Sequence, residues 1–394
     1  MADFRQSPES FDAESRLPSL NGNGRGESSI TAGKQSFLDQ PVHHWLGSFD
    51  QAARDGVEDR ESFLAILRFS RGDGNAVFGR REGAAARLRL LKSWSDRIGD
   101  PSLSALVDRW LRRDGPATPL PFPSQARTPG PLVVMRSDWG PRAELMAIDH
   151  RRPGDETSLE VASSGLTWLG PSWTSVDSAR RASPAVATVW SSSVYADHCE
   201  WDYRIGTTRV TRSISLLRGK SLALLGQHEE GPGDSIAMSL GLGEGVEARF
   251  VEGSRAVRLS AGRGRPTARL VPLGLPSHDR PTELGSIAIE EGRIEIRQQC
   301  AGMRRRWLAV LVGWGKPPES WRPLTVAERS KGCRGDVAVA ARVAWGPRSD
   351  GLVVYRSLGK PALRSFLGHQ TSARYLVGSF DRSGEVRPIL KVGP

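Results

Sequence analysis

Six prolines fall within the seventeen residues "GPATPLPFPSQARTPGP" (115–131). Proline fixes φ and lacks the amide hydrogen that a helix or an inner strand needs, so no regular element crosses this stretch. The hydrophobic period differs on its two sides. Before it, apolar residues recur at helical spacing, and after it they alternate. The chain is therefore predicted to be mainly β: a large antiparallel β-sandwich over 131–394, preceded by a short α-helical segment over 40–113. A Pro-rich linker at 114–130 separates the two. Residues 1–36 are rich in Ser, Gly, Asn and Glu and poor in large apolar side chains, the composition of a disordered tail.

The helical part divides into three or four helices. "FLAILRF" (63–69) is followed by Gly72 and Gly74, which stop a helix. Ala84, Leu88, Leu91 and Ile98 recur at steps that line one helix face. "DPSLSALVDRWL" opens with Asp100 as N-cap and Pro101 at the first helical position, and Leu103, Leu106, Val107 and Trp110 form its apolar stripe. Beyond residue 131, "TRVTRSISLL" (208–217) puts Val210, Ile214 and Leu216 on one strand face. "SIAIEEGRIEI" (286–296) reads as a hairpin, Ile287 and Ile289 answering Ile294 and Ile296 around Glu291-Gly292. Short strands follow one another to the end with no repeat of fixed period, which favours a sandwich over a propeller.

The net charge of +11 is uneven. Residues 1–130 carry 18 Lys+Arg against 17 Asp+Glu, and 131–394 carry 37 against 27. Only 7 of the basic residues are lysine. Arginine grips carboxylate, sulfate or phosphate through a planar fork, so an anionic partner is one reading; an arginine-biased genome is the other. Cys199, Cys300 and Cys333 show no CxxC spacing, against a disulfide framework or a structural zinc. No secretory signal and no membrane-length apolar run are visible, so the expectation is an intracellular chain, cytoplasmic by default, without membrane contact. No phosphate loop, zinc-helix or nucleophile-elbow motif is present, and no cofactor is expected. "GLGEG" (241–245) reads as a turn, and Arg304–Arg306 as a solvated strand edge. Nucleic acid is not an expected partner.

Two clusters could carry chemistry. If "YADHCEWDYR" (195–204) is extended, His198, Glu200 and Asp202 share one face and Cys199, Trp201 and Tyr203 the other. The first face could hold a metal or do acid/base work, or it could be a solvated outer face opposite a buried Trp. The second is His150, between two alternating runs. Trp139, Trp168, Trp173, Trp190 and Trp201 could stack on sugars or pack a core.

The stretch "VVMRSDWGPRAELMAIDHRRPGDETSLEVASSGLTWLGPSW" resembles the opening of the C-terminal β-sandwich of the heparinase II/III-like polysaccharide lyases. Its features are an Arg-x-x-Trp segment (Arg136 to Trp139), a strand, a His-containing loop and a second strand. "RVTRSISLLRGKSLALLGQ" and "GLVVYRSLGKPALRSFLGHQTSARYLVGSF" look like later strands of the same sandwich. Residues 40–113 look like a shortened remnant of the family's helical toroid. The resemblance implies β-elimination on uronate polysaccharides, with a toroid Asn and Tyr and a sandwich His from an HxHxD-like loop. This chain departs from that pattern. It has no tyrosine before Tyr195, and its loop keeps His150 and Asp155 without a second His.

Three functions follow. The first is recognition of an acidic polysaccharide with weak or no cleavage, through Arg136, Trp139, Arg151, Arg152, Trp201 and Arg204. The second is an active lyase with a rebuilt site that uses His150, His198 and Tyr203. The third is a structural or partner-binding sandwich. An arginine- and tryptophan-lined groove would favour the first, and convergence of His150 and Tyr203 near an arginine the second.

Overall fold

The computed structural model describes residues 60–393 apart from 80–82, 113–119, 125–131, 151–155, 176–181, 263, 279–282, 347–349 and 382. These residues belong to one compact unit, Pro41–Pro394. The expected tail and most of the expected linker lie outside the described residues.

Three helices come first: α1 (Arg60–Arg68), α2 (Ala84–Ile98) and α3 (Pro101–Trp110). Asp100 caps α3, accepting from the backbone amides of Ser102 and Leu103, and Leu103, Leu106, Val107 and Trp110 are buried. In α2 the buried side chains are Leu91, Trp94 and Ser95, while Ala84, Leu88 and Ile98 are only half-buried. The bulk of Trp94, edge-on to Phe63 at 6.2 Å, rotates the buried stripe away from the alanines. Among the described residues no helix is long and apolar enough to cross a membrane.

The rest is antiparallel β-structure in four sheets. Sheet I has seven strands, ordered Leu132–Arg136, Leu145–Asp149, Thr157–Ser163, Leu166–Thr174, Ser235–Leu242, Arg293–Gln299 and Gly285–Glu290. Sheet II has eight, ordered Glu247–Phe250, Val257–Ser260, Thr267–Pro272, Arg305–Gly313, Leu222–Glu230, Thr208–Leu217, Ala196–Ile205 and Val186–Ser192. Sheet III has five strands between Ser320 and Val392, and a four-stranded sheet IV is made of two- and three-residue strands.

The expected two-layer sandwich is thus sheets I and II, and the structure adds two further layers. One core lies between I and II, where Met146, Leu159, Trp168, Leu240 and Ile296 meet Trp201, Ile214, Leu225, Leu270 and Val310. A second core lies on the opposite face of sheet II, where Leu217, Leu224, Leu273 and Leu311 meet Val343, Val354, Tyr375 and Val377 of sheet III. The far face of sheet III packs on sheet IV, with Tyr355 stacked on Phe366 at 5.1 Å. Sheet II therefore has an apolar core on each face, and "RRWLAVLVG" runs nearly unbroken because both faces of that strand are covered.

The hairpin 286–296 has the expected register, with Ile287 opposite Ile296 and Ile289 opposite Ile294. Glu291 and Gly292 both take positive φ (44° and 76°), as a two-residue turn of the primed type requires. "GLGEG" is the turn that carries the chain from sheet I to sheet II. Arg306 corrects the solvated-edge reading. Its strand lies inside sheet II, and the buried guanidinium donates to the carbonyls of Gly231, Pro232, Gly233 and Met303 and pairs with Glu229 at 3.2 Å. An arginine is needed there because a tight turn leaves several carbonyls converging without amide partners.

The helices dock on the outer face of sheet I. Arg71 grips Glu160 through two bonds of 2.6 and 2.7 Å, and the Phe78 amide donates to the same carboxylate at 2.8 Å. Arg136 lies between the rings of Trp110 and Trp139, 5.6 and 5.3 Å from their centroids, and donates to the Ser70 carbonyl. Trp110 donates to the Trp139 carbonyl at 2.9 Å.

Candidate functional site

The strand Ala196–Ile205 carries both candidate clusters on opposite faces. Neither face is solvated, because sheet I covers one and sheet III the other. The solvated-face reading of His198 and Glu200 is therefore corrected: both are completely buried.

On the sheet I side, His150 and Tyr203 come together, their ring centroids 6.1 Å apart, with Trp201 at 5.0 Å from His150. The third member is Arg212, whose guanidinium sits over Tyr203 (5.3 Å) and Trp173 (4.9 Å). Sequence reasoning passed over Arg212, although the signal was present: it shares its strand face with Val210, Ile214 and Leu216, where a charge has no place unless something engages it. His150 is 7 %, Tyr203 4 % and Arg212 0 % exposed. Burial, and next the Arg212 charge, hold the His150 pKa well below the ordinary imidazole range, so the ring is neutral. Arg212 donates to Thr157 Oγ1, and the same hydroxyl lies 3.0 Å from His150 Nδ1. His150 Nε2 is buried with no hydrogen-bond partner among the described residues, so Thr157 engages one ring nitrogen and the other is left without a contact.

On the sheet III side, His198 is in a chain of buried polar groups. Its Nδ1 meets Ser215 Oγ at 2.8 Å, Ser215 meets the Tyr375 hydroxyl at 3.4 Å, and its Nε2 meets Glu200 Oε1 at 3.0 Å. Glu200 also pairs with Arg356 and Arg374. Burial pushes Glu200 up, but the Arg356 charge and the His198 hydrogen bond outweigh it and hold the carboxyl well below its usual range. Burial lowers His198 despite Glu200, and the ring is neutral, donating from Nε2 to the carboxylate. Burial pushes Tyr375, stacked on His198 at 4.6 Å, up to about 12. The strand thus separates the three candidate catalytic groups, with His150 and Tyr203 on one side of sheet II and His198 on the other.

The candidate substrate contacts divide as well. Arg136, Trp139 and Trp201 are buried and serve packing, and in this conformation they offer no surface to a polymer. Burial lowers Arg136 to about 10. Trp168 and Trp173 are core residues and Trp190 is half-buried. Arg151, Arg152 and Asp155 lie outside the described residues. Arg204 is exposed and lines an open cleft of about 750 Å³ with Arg209, Glu230, Asp234, Met303 and Arg304. A smaller cavity of about 270 Å³ shares Arg209 and Glu230 with it and reaches inward between sheets II and III. Among the described residues no group of three or more His, Cys, Asp or Glu is arranged to hold a metal.

This layered antiparallel architecture is similar to that of solved heparinase-type polysaccharide lyases. One is the heparan sulfate lyase HepC from Pedobacter heparinus, with a TM-score of 0.55 and 13 % identity over 83 % of this chain and 56 % of that one. Another is a heparinase III with methylated lysines, with a TM-score of 0.53 and 12 % identity over 76 % of this chain and 50 % of that one. The chain thus spans about half the length of the structures it matches. No family model matches the sequence, and no curated protein matches it.

Proposed function

We propose that the protein recognises an acidic polysaccharide and cleaves it weakly or not at all. The observation that carries this reading is the open cleft of about 750 Å³ at the end of sheet II, lined by the exposed residues Arg204, Arg209 and Arg304. The forks of Arg204 and Arg304 suit the carboxylate or sulfate groups of a glycan, with Arg209 beside them paired to Asp202, and the excess positive charge of residues 131–394 adds long-range attraction. Exposed pairs of this kind are screened by salt, so retention on an immobilised sulfated or uronate polymer should fall steeply as ionic strength rises. The Arg204→Glu/Arg304→Glu double variant should elute at clearly lower salt than the parent. Equal elution of the two proteins, or no retention at low salt, would remove the basis of the reading.

A second reading, residual β-elimination, is supported by one observation: His150, Tyr203 and Arg212 supply a base, an acid and a carboxylate-neutralising group within one cluster. Against it stand their burial and the Thr157 hydroxyl on Nδ1. Elimination leaves a double bond conjugated with the carboxylate, so ultraviolet absorbance follows it directly. We expect no steady product from uronate polymers. Product that His150→Ala abolishes in a folded protein would reverse the order of the two readings.

A further inference from the structure

The cavity between sheets II and III has a design that the polymer cleft does not. Its rim is exposed, at Arg209, Lys360, Pro361 and Ser372, and its floor is buried, at Glu200, Arg356, Ser357 and Leu358. Five cationic side chains line it (Arg209, Arg305, Arg356, Lys360 and Arg374) against three carboxylates (Glu200, Asp202 and Glu230). The three carboxylates are already engaged: Asp202 by Arg209 and Thr211, Glu230 by Arg305, and Glu200 by Arg356 and Arg374. Two positive charges are left without a counter-charge inside the cavity.

The floor also carries donors with nothing to bind. Arg356 Nε and Arg374 Nε are buried without hydrogen-bond partners, and so is Nε2 of His228, which projects from sheet II into the same space. Arg356 is 4 % exposed, so its Nε cannot be satisfied by bulk water. A buried guanidinium N–H without a protein acceptor favours an oxyanion that can accept from it. Burial, and next the Arg356 charge, hold His228 down to about 3, so the ring stays neutral and does not add a third positive charge.

We propose that this cavity binds a tetrahedral oxyanion, a sulfate or phosphate group, either as the free ion or as the ester on one sugar. Two unpartnered arginine donors in one cavity lining and two uncompensated charges match a group with several equivalent oxygens and up to two negative charges better than a single carboxylate. A volume of about 270 Å³ suits the group with about one sugar ring. The site stands without the glycan reading, since inorganic sulfate alone would fill it.

The test is titration of the full chain at low ionic strength with sodium sulfate, sodium phosphate, a monosaccharide sulfate and sodium acetate. Heat is read by calorimetry, and the His228 ring resonances by NMR. The expected result is one site per chain for a tetrahedral oxyanion, a shift of the His228 signals, and weaker binding of acetate. Tighter binding of the sugar sulfate than of both inorganic ions identifies the ester as the source, and the reverse identifies the free ion. Lys360→Glu, at the exposed rim, should weaken sulfate about tenfold or more, and Ser372→Trp should block it. Arg204→Glu/Arg304→Glu should weaken polymer retention and leave sulfate binding unchanged, which separates failure of this site from failure of the polymer cleft. No heat and no His228 shift with any oxyanion, acetate binding as tightly as sulfate, or binding unaffected by both rim variants would overturn the proposal.

Discussion

Replacing Glu200 by glutamine keeps shape and removes one buried charge. Arg356 then loses the one carboxylate it pairs with among the described residues and stays in the second core, while Arg374, 37 % exposed, recovers part of its hydration. Leaving one member of a buried pair uncompensated costs about 3–5 kcal/mol, and the Arg374 contribution is discounted for its solvent access. At about 2.1 cal/mol/K per residue over roughly 350 residues, the unfolding entropy is near 0.7 kcal/mol/K, so Tm should fall by about 4–7 °C. The pH dependence gives an independent check. The folded-state pKa of Glu200 lies below its unfolded value, so its contribution is fully present above the unfolded carboxyl range near 4.3 and is lost as pH falls through the folded pKa. The gap between parent and Glu200→Gln should be constant from neutral pH down to about 5 and narrow below it. Urea unfolding at a series of pH values measures this. Asp202→Asn is the control, because Asp202 pairs with the exposed Arg209 and should cost less than about 1 kcal/mol. A Glu200→Gln penalty no larger than that control, or a gap that does not change with acid, would refute the account of a charged glutamate held by two arginines.

Two further outcomes are expected. Glu160→Gln should release the helices from sheet I, seen as faster amide exchange over residues 60–110 while sheet II keeps its protection, because Arg71 and the Phe78 amide share that one carboxylate. Gly243→Ala should destabilise by about 1–3 kcal/mol in denaturant unfolding, since a Cβ there would lie 1.9 Å from the Thr167 carbonyl oxygen; no measurable loss would mean that the turn is looser than described.

The elements whose information is local were legible in the sequence. The cap at Asp100, the α3 stripe and the 286–296 register each depend on residues within a dozen positions of one another. What covered each strand face was not legible, because alternation separates two faces without saying what each one meets. In sequence His198 and Glu200 read as a wet surface before an acid/base pair, and neither reading could foresee Arg356 and Arg374, more than 150 residues later, brought against Glu200. The near-continuous apolar run at 307–313 did carry the information that this strand of sheet II has no wet side. Arg212 was legible in the same way, as an arginine out of phase with its strand, but only its surroundings reveal the Thr157–His150 relay.

The stacking of sheet III on sheet II imposes an order on how the chain matures. Sheets I and II exchange strands repeatedly, so sheet I is complete only at residue 299 and sheet II only at residue 313. At that moment the second face of sheet II, with Leu217, Leu224, Leu273 and Leu311 and the ionised Glu200 among them, still lacks its cover. The cover is made from residues 320–392, which are synthesised after it. A chain halted near residue 315 would expose a broad oily surface with an unneutralised carboxylate in its middle, a species suited to chaperone capture or precipitation. Addition of sheet III is thus the step that closes the second core, and deletion of residues 320–392 should fail abruptly, without a stable shorter form.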